Sequence, residues 1–194
     1  PTMKKPANDM REHILDVARA LMTHKGFTAV GLNEVLSTAG VPKGSFYHYF
    51  KSKEEFGQAL LDVYFDEYLS RIEPILKQQA NGAQSLLKYF QYWSETQYDD
   101  AVDNKCLVVK LGAEVCDLSE VMRQVLDEGT SRIIRLISSC IERGIDDGSI
   151  VGKDSKALAE SLYQLWLGAS LMAKVNRSTQ PFQSALAMTK SLLG

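Results

Sequence analysis

The eleven residues from Lys43 to Lys53, Lys-Gly-Ser-Phe-Tyr-His-Tyr-Phe-Lys-Ser-Lys, concentrate cations and hydrogen-bond donors in one short stretch. Ser45, Tyr47, His48 and Tyr49 each carry a group able to donate to a phosphate oxygen or a base edge. The pattern predicts a short helix over 42–49 and a longer one capped by Ser52, with Glu55 at its third position. Lys43 and Lys53 then fall in the positive ends of two helices, where a cation is unfavourable by about 0.3–1 kcal/mol. Two lysines set against two helix dipoles make sense beside an anion, because helix N-termini and lysines both bind phosphate. Gly44 is a poor helix former, yet it leaves room for a backbone or a base to come close. Phe46 and Phe50 lie four apart, share a helical face and are expected in the core. Tyr47 lies off that face, and Tyr49 is expected half-buried with its hydroxyl out.

A different chemistry is open to Cys106. In Asp-Asn-Lys-Cys, residues 103–106, Asn104 is a good N-cap, which sets Cys106 in the first turn of a helix expected over 105–113. The helix dipole, Lys105 and Lys110 all favour the thiolate, the nucleophilic form, while Asp99, Asp100 and Asp103 oppose it. Cys140 sits among Ile133, Leu136, Ile137 and Ile141 and is expected in the core. Cys116 precedes a capping-box pattern, Asp117 to Glu120, and is expected to pack on Val121 as a hydrophobic staple.

The scaffold that must position these groups reads as all-α, with about nine helices. The first opens at Asp9 with Glu12 three later, carries the stripe Ile14, Leu15, Ala18, Leu21 and Met22, and stops at Gly26 with Phe27 packing back. A short helix is expected over 32–38, then a tight turn at Ala39-Gly40-Val41 before the helix over 42–49. The helix after Ser52 should run to about Ile72, where Pro74 ends or kinks it. Further helices are expected over 82–98, 105–113, 118–144, 154–176 and 181–193. Two short helices joined by a glycine-containing turn, behind a longer support, make a helix-turn-helix, whose second short helix enters the major groove of DNA. The expected domains are a DNA-binding head, 1–52, and a sensing and dimerisation body, 53–194.

Charge distribution agrees with that division. Residues 1–53 hold eight Lys and Arg against four Asp and Glu, while 54–194 hold fourteen against twenty. A basic head on an acidic body points to a polyanion partner for the head. All three histidines lie in the head, at 13, 24 and 48. The body therefore lacks a histidine base, a plausible metal cluster and a glycine-rich phosphate loop, so neither an enzyme nor a cofactor is expected. No apolar run approaches the ~20 residues that span a bilayer, and no secretory signal is recognisable at the N-terminus. Three cysteines without paired spacing argue against a disulfide framework and for the cytoplasm.

The stretch Gly-Phe-Thr-Ala-Val-Gly-Leu-Asn-Glu-Val-Leu-Ser-Thr-Ala-Gly-Val-Pro-Lys-Gly-Ser-Phe-Tyr-His-Tyr-Phe-Lys-Ser-Lys-Glu-Glu-Phe, residues 26–56, resembles the N-terminal domain of TetR-family repressors. The resemblance covers residues 10–56 and implies an all-helical homodimer on palindromic or near-palindromic double-stranded operator DNA, with a variable effector body. It carries phosphate and base contacts onto Lys43, Gly44, Ser45, Tyr47, His48, Tyr49 and Lys53. Where the family often begins its second helix with Ser or Thr, this chain has Gly31 and so has no hydroxyl to offer a phosphate there. Asn33, where a base reader often stands, could still reach a base, an adenine by preference. The stretches 106–129 and 163–178 resemble electrophile- and redox-responsive members of the same family. That implies release from DNA when a cysteine at the Cys106 position is modified, and Lys174 in the second stretch would stabilise its thiolate if the fold brings the two together.

The last two helices read as partner helices. Leu158, Leu162, Leu165, Trp166 and Ala169 recur on one, and Phe182, Leu186 and Leu193 on the other, which suits a four-helix interface between two subunits. An alternative trigger is reversible binding of a small apolar inducer in a cavity lined by Tyr89, Phe90, Trp93, Tyr163 and Trp166. The same aromatics could equally be plain core.

Overall fold

The computed structural model of the chain describes residues 7–25, 32–78, 80–98, 107–152 and 154–194. Among the described residues every regular element is helical: α1 Ala7–Lys25, α2 Leu32–Ala39, a 3-10 turn Lys43–Ser45, α3 Phe46–Tyr49, α4 Lys53–Lys77, α5 Gly82–Tyr98, α6 Leu107–Leu118, α7 Glu120–Asp147, α8 Ser155–Asn176 and α9 Gln180–Leu193. They form two compact units, one of Pro1–Asp66 with Lys110–Asp127, the other of Glu67–Val109 with Glu128–Gly194. The unit that holds the head thus continues past residue 53 and takes in most of α6 and the start of α7.

In the first unit, Ile14, Leu15 and Ala18 of α1, Val35 and Leu36 of α2, and Phe46, Phe50, Phe56 and Leu60 form one buried cluster. The turn after α2 is a Schellman motif: Val41 N–H donates to Leu36 O at 2.9 Å and Gly40 N–H to Ser37 O at 3.1 Å. Gly40 sits at φ +71°, the left-handed position that this motif gives to glycine. The helix expected over 42–49 is split. Its first turn is 3-10, closed by Ser45 N–H on Pro42 O at 2.9 Å, and only Phe46–Tyr49 is α-helical. Phe50 is extended, at φ −135° and ψ 132°, and ends it.

Ser52 caps α4 as expected, its Oγ accepting Glu55 N–H at 3.0 Å. Glu55 reaches back to Lys51 N–H at 3.0 Å, one residue earlier than in the usual box. Pro74 does not end α4, which runs on to Lys77. The proline removes the bond to Ser70 O, but Ser70 is exposed to water, and buried Ile72 and Leu76 hold the backbone on either side. Two other ends differ from expectation. Asp9 lies inside the first turn of α1 and is not its cap. Gly26 and Phe27 lie outside the described residues. The cap of α7 is Ser119, which accepts Met122 N–H at 3.2 Å, and not Asp117. Buried Val115 keeps α6 helical through Leu118, so Cys116 is an exposed thiol on α6 and not a staple against Val121, itself exposed.

The second unit is built on aromatic packing. Phe90 of α5 stacks on Trp166 of α8 at 4.6 Å and 10°, and Trp166 stacks on Phe182 of α9 at 6.1 Å. The buried indole N–H groups are both satisfied, Trp93 by Ser170 Oγ at 2.7 Å and Trp166 by Thr189 Oγ1 at 3.0 Å. Those hydroxyls donate in turn to Trp166 O and Ala185 O, which accounts for two of the buried polar side chains.

Candidate nucleic-acid interface

The segment between Gly40 and Lys53 divides its side chains as their spacing requires. Phe46 and Phe50 are sealed, stack on each other at 5.5 Å, and each meets Phe56 edge-on, at 5.7 and 4.9 Å. Tyr47 is 68% exposed, His48 is exposed, and Tyr49 is half-buried. Lys43, Gly44, Lys51 and Lys53 are exposed and Ser45 is partly so. A Cβ built on Gly44 would meet nothing within 4 Å, so its surface is open to a backbone or base. Asn33 is exposed on the first turn of α2. The fold thus brings the three donors, Tyr47, His48 and Tyr49, and the flanking lysines onto one stretch of surface, while the phenylalanines beneath anchor it. Gly31, which stands where the family often has a hydroxyl, lies outside the described residues.

Replacing Lys43 and Lys53 together by alanine is expected to weaken binding to every duplex alike. The slope of log K against log salt should become shallower by about 2, one for each phosphate no longer neutralised by a lysine. Both side chains are exposed, so the melting temperature should hold. Anisotropy titrations across a salt series check this, and an unchanged slope would remove both lysines from the interface.

The remaining sites of interest lie elsewhere. Cys106 falls outside the described residues, as do Asn104, Lys105 and the three nearby aspartates. Lys110 is half-buried on α6, in the first unit, and Lys174 is exposed on α8, in the second. Cys140 is buried, its thiol donating to Gly82 O at 3.4 Å, and burial pushes its pKa up to about 11. Burial thus disfavours the thiolate, the form that reacts with electrophiles.

The residues expected at a subunit interface are largely interior. Leu158, Leu162, Trp166, Ala169, Phe182 and Leu193 are buried in the second unit, and Leu165 and Leu186 are half-buried. The reason is α5, which packs across α8 and α9 of the same chain and covers that face. The apolar residues that α8 and α9 leave exposed are Leu171, Met172 and Val175, and Met188. Sequence reading missed this second stripe, although Gly168, Leu171, Met172 and Val175 do follow helical spacing. Tyr89, Phe90, Trp93, Tyr163 and Trp166, the alternative cavity lining, are buried against one another as core. A shallow groove of ≈ 370 Å³ lies over Phe90, Trp166 and Phe182, but the first two rings are only 0% and 1% exposed and offer no face to a ligand.

A helix-turn-helix head with an outward row of donors and cations, joined to an aromatic-cored helical body, defines a DNA-binding regulator. The family comparisons agree. Residues 14–60 match the model of the bacterial regulatory proteins of the tetR family, and 82–189 match a tetracyclin repressor-like C-terminal domain. The chain belongs to the TetR family. It is 42% identical over 193 residues to the HTH-type transcriptional repressor NemR of Escherichia coli K12, covering 98% of this chain and 96% of that one. The transcriptional regulator AcuR of Cereibacter sphaeroides is 33% identical over 84% of this chain and 75% of its own. Among solved structures, the reduced form of Escherichia coli NemR superposes with a TM-score of 0.90 at 42% identity, over 96% of this chain and 97% of that one. The protein is a TetR-like transcriptional repressor, and no helix among its described residues is long and apolar enough to cross a membrane.

Proposed function

We propose that this repressor is released from its operator when Cys106 is modified by a reactive electrophile or oxidant. DNA binding is assigned to residues 1–52, and sensing and dimerisation to 53–194, in the cytoplasm, where a thiol trigger stays reduced. The homodimer holds two recognition segments about one DNA turn apart, ~34 Å, and the exposed face of α8 and α9 bearing Leu171, Met172, Val175 and Met188 is assigned to the partner subunit.

The observation that carries the trigger is where the chain after Cys106 goes. From Lys110 the sensor helix belongs to the same compact unit as the head. At its end, Ser119 donates a hydrogen bond to Glu54, the residue after Lys53. A change at the start of α6 therefore has a short covalent and hydrogen-bonded route to the start of α4, beside the DNA-facing lysine. The similarity to a repressor solved in a reduced form supports a redox-active thiol.

The chemistry balances without a further reactant. The Cys106 thiolate adds to the β-carbon of an α,β-unsaturated carbonyl, the C–S bond forms as the C=C π bond opens, and the enolate takes a proton from water. Treatment with a maleimide should release wild type from DNA and leave Cys106→Ser bound. Cys116 is also exposed and will be alkylated, so Cys116→Ser is the control and should respond as wild type. If Cys106→Ser still leaves the operator on treatment, the Cys106 trigger is wrong.

A further inference from the structure

The recognition segment is short. Its α-helix has four residues, Phe46–Tyr49, and its first turn is a 3-10 turn containing a glycine. A segment of that length has almost no helical stability of its own, so its orientation must be imposed from outside. Two side chains of α1 reach the chain on either side of it. His13 Nε2 lies 3.0 Å from Ala39 O, at the end of α2. The Schellman bonds of the turn already occupy the carbonyls of Leu36 and Ser37, and His13 supplies a donor to a later one that the motif leaves open. A carbonyl only accepts, so the ring must carry its proton on Nε2. At the other end, the Arg11 guanidinium lies 4.9 Å over the ring of Phe50, the extended residue that terminates α3. Arg11 and His13 are partly buried, and the recognition segment runs between the two points they hold.

We propose that His13 and Arg11 are positioning residues for operator readout, fixing the entry and the exit of the recognition segment from α1. Neither has to touch DNA. They hold Tyr47, His48 and Tyr49 in one orientation, so that base contacts form without an ordering cost on binding. The inference rests on the reading that residues 43–53 meet DNA, and it extends that reading to a helix outside the contact surface. Nothing in the sequence marks the pair, because His13 and Ala39 are 26 residues apart.

The distinguishing property is specificity without charge. A phosphate ligand, when removed, lowers affinity for all DNA and reduces the salt slope; a positioning residue lowers the preference for one sequence and leaves the slope alone. The test uses the full-length protein and two duplexes, one selected by wild type from a random-sequence library and a scrambled one of equal length. His13→Leu and Arg11→Leu are each expected to reduce the ratio of selected to scrambled affinity by about tenfold, through removal of the hydrogen bond or the cation–π interaction, with the salt slope unchanged. His13→Gln keeps an amide donor within reach of Ala39 and should retain most of the ratio. Should His13→Leu fail to fold, His13→Asn decides: its shorter amide cannot reach, so its ratio must fall below that of His13→Gln. Equal ratios for wild type and the variants, an equal loss on both duplexes, or a slope shallower by about 1 in Arg11→Leu would each overturn the proposal. Failure of wild type to select any duplex would instead overturn the DNA-facing reading itself.

Discussion

Phe46→Ala is expected to destabilise the head by about 3–5 kcal/mol and to abolish operator binding, while the protein still sediments as a dimer. Phe46 is 1% exposed and stacks or meets edge-on with Phe50 and Phe56. Removing it leaves a ring-sized hole in a buried cluster that, among the described residues, has eleven members, all between 14 and 60. A core that small supplies little surplus, since whole domains are stable by only about 5–15 kcal/mol and small ones sit near the bottom of that range. Phe46 also sits between Ser45 and Tyr47, two of the residues proposed to meet DNA, so the cavity opens directly under that surface. The interface proposed on α8 and α9 belongs to the other unit and should survive. Thermal denaturation followed by circular dichroism, with sedimentation velocity and a DNA titration on the same sample, reads all three effects. A variant that melts within about 1 kcal/mol of wild type and binds operator normally would mean that the phenylalanines are not what holds the recognition segment.

What could be read in the sequence was local. The Phe46–Phe50 face, the Ser52–Glu55 cap and the turn at Gly40 all depend on residues three to five apart, and the structure places each of them where that spacing puts it. What could not be read depended on a distant element. α8 is apolar on two faces, and only the position of α5 decides that Leu162 and Trp166 go inside and Leu171 and Val175 outside. Pro74 stays helical because Ile72 and Leu76 are buried on either side of it, a tertiary effect that overrides the local penalty. The sequence pointed to Asp117 as the cap of α7; buried Val115 carries α6 past it, and Ser119 takes that role. The proposed sensor rests on chemistry alone, in the placing of Cys106 after Asn104 and beside Lys105. Residue type and helical spacing were enough to set Tyr47 and His48 outward and Phe46 and Phe50 inward; they gave no sign of the contacts that Arg11 makes with Phe50 and His13 with Ala39.

Gly82→Ala is expected to destabilise the second unit by about 1–3 kcal/mol. A Cβ at Gly82 would lie 2.3 Å from both Cα and N of Gly144 and 2.9 Å from Cys140 O. All three are backbone atoms of α7, so relief requires the two helices to part. Hydrogen bonds at and beside the crossing oppose that parting. Gly82 N–H donates to Asp147 Oδ2 at 2.8 Å and Ala83 N–H to Ser149 Oγ at 3.0 Å, while Arg143 donates to Lys77 O at 2.8 Å and to Ser85 Oγ. The Asp147 carboxyl is held below its ordinary value by hydrogen bonds from the Ser149 side chain and the Gly82 and Ser149 backbones. Its contribution is therefore present above the ordinary carboxylate pKa and fades as pH falls through its lowered one, so the crossing should weaken in acid. Gly144→Ala provides the contrast. The three atoms nearest to its Cβ are all in the Ile150 side chain, Cδ1 at 2.4 Å, Cγ1 at 2.6 Å and Cβ at 3.3 Å, so relief there moves a side chain and not a helix backbone. Gly82→Ala should thus lower the melting temperature by several degrees, at about 2–4 °C per kcal/mol for a chain of this size, and Gly144→Ala by clearly less. Because Cys140 Sγ donates to Gly82 O across the same crossing, its labelling by a thiol reagent should quicken in Gly82→Ala alone. Equal losses in the two variants, or a Cys140 as slow to label as in wild type, would mean that the helices can separate there without strain and that the Gly82–Gly144 contact is not what seals that thiol.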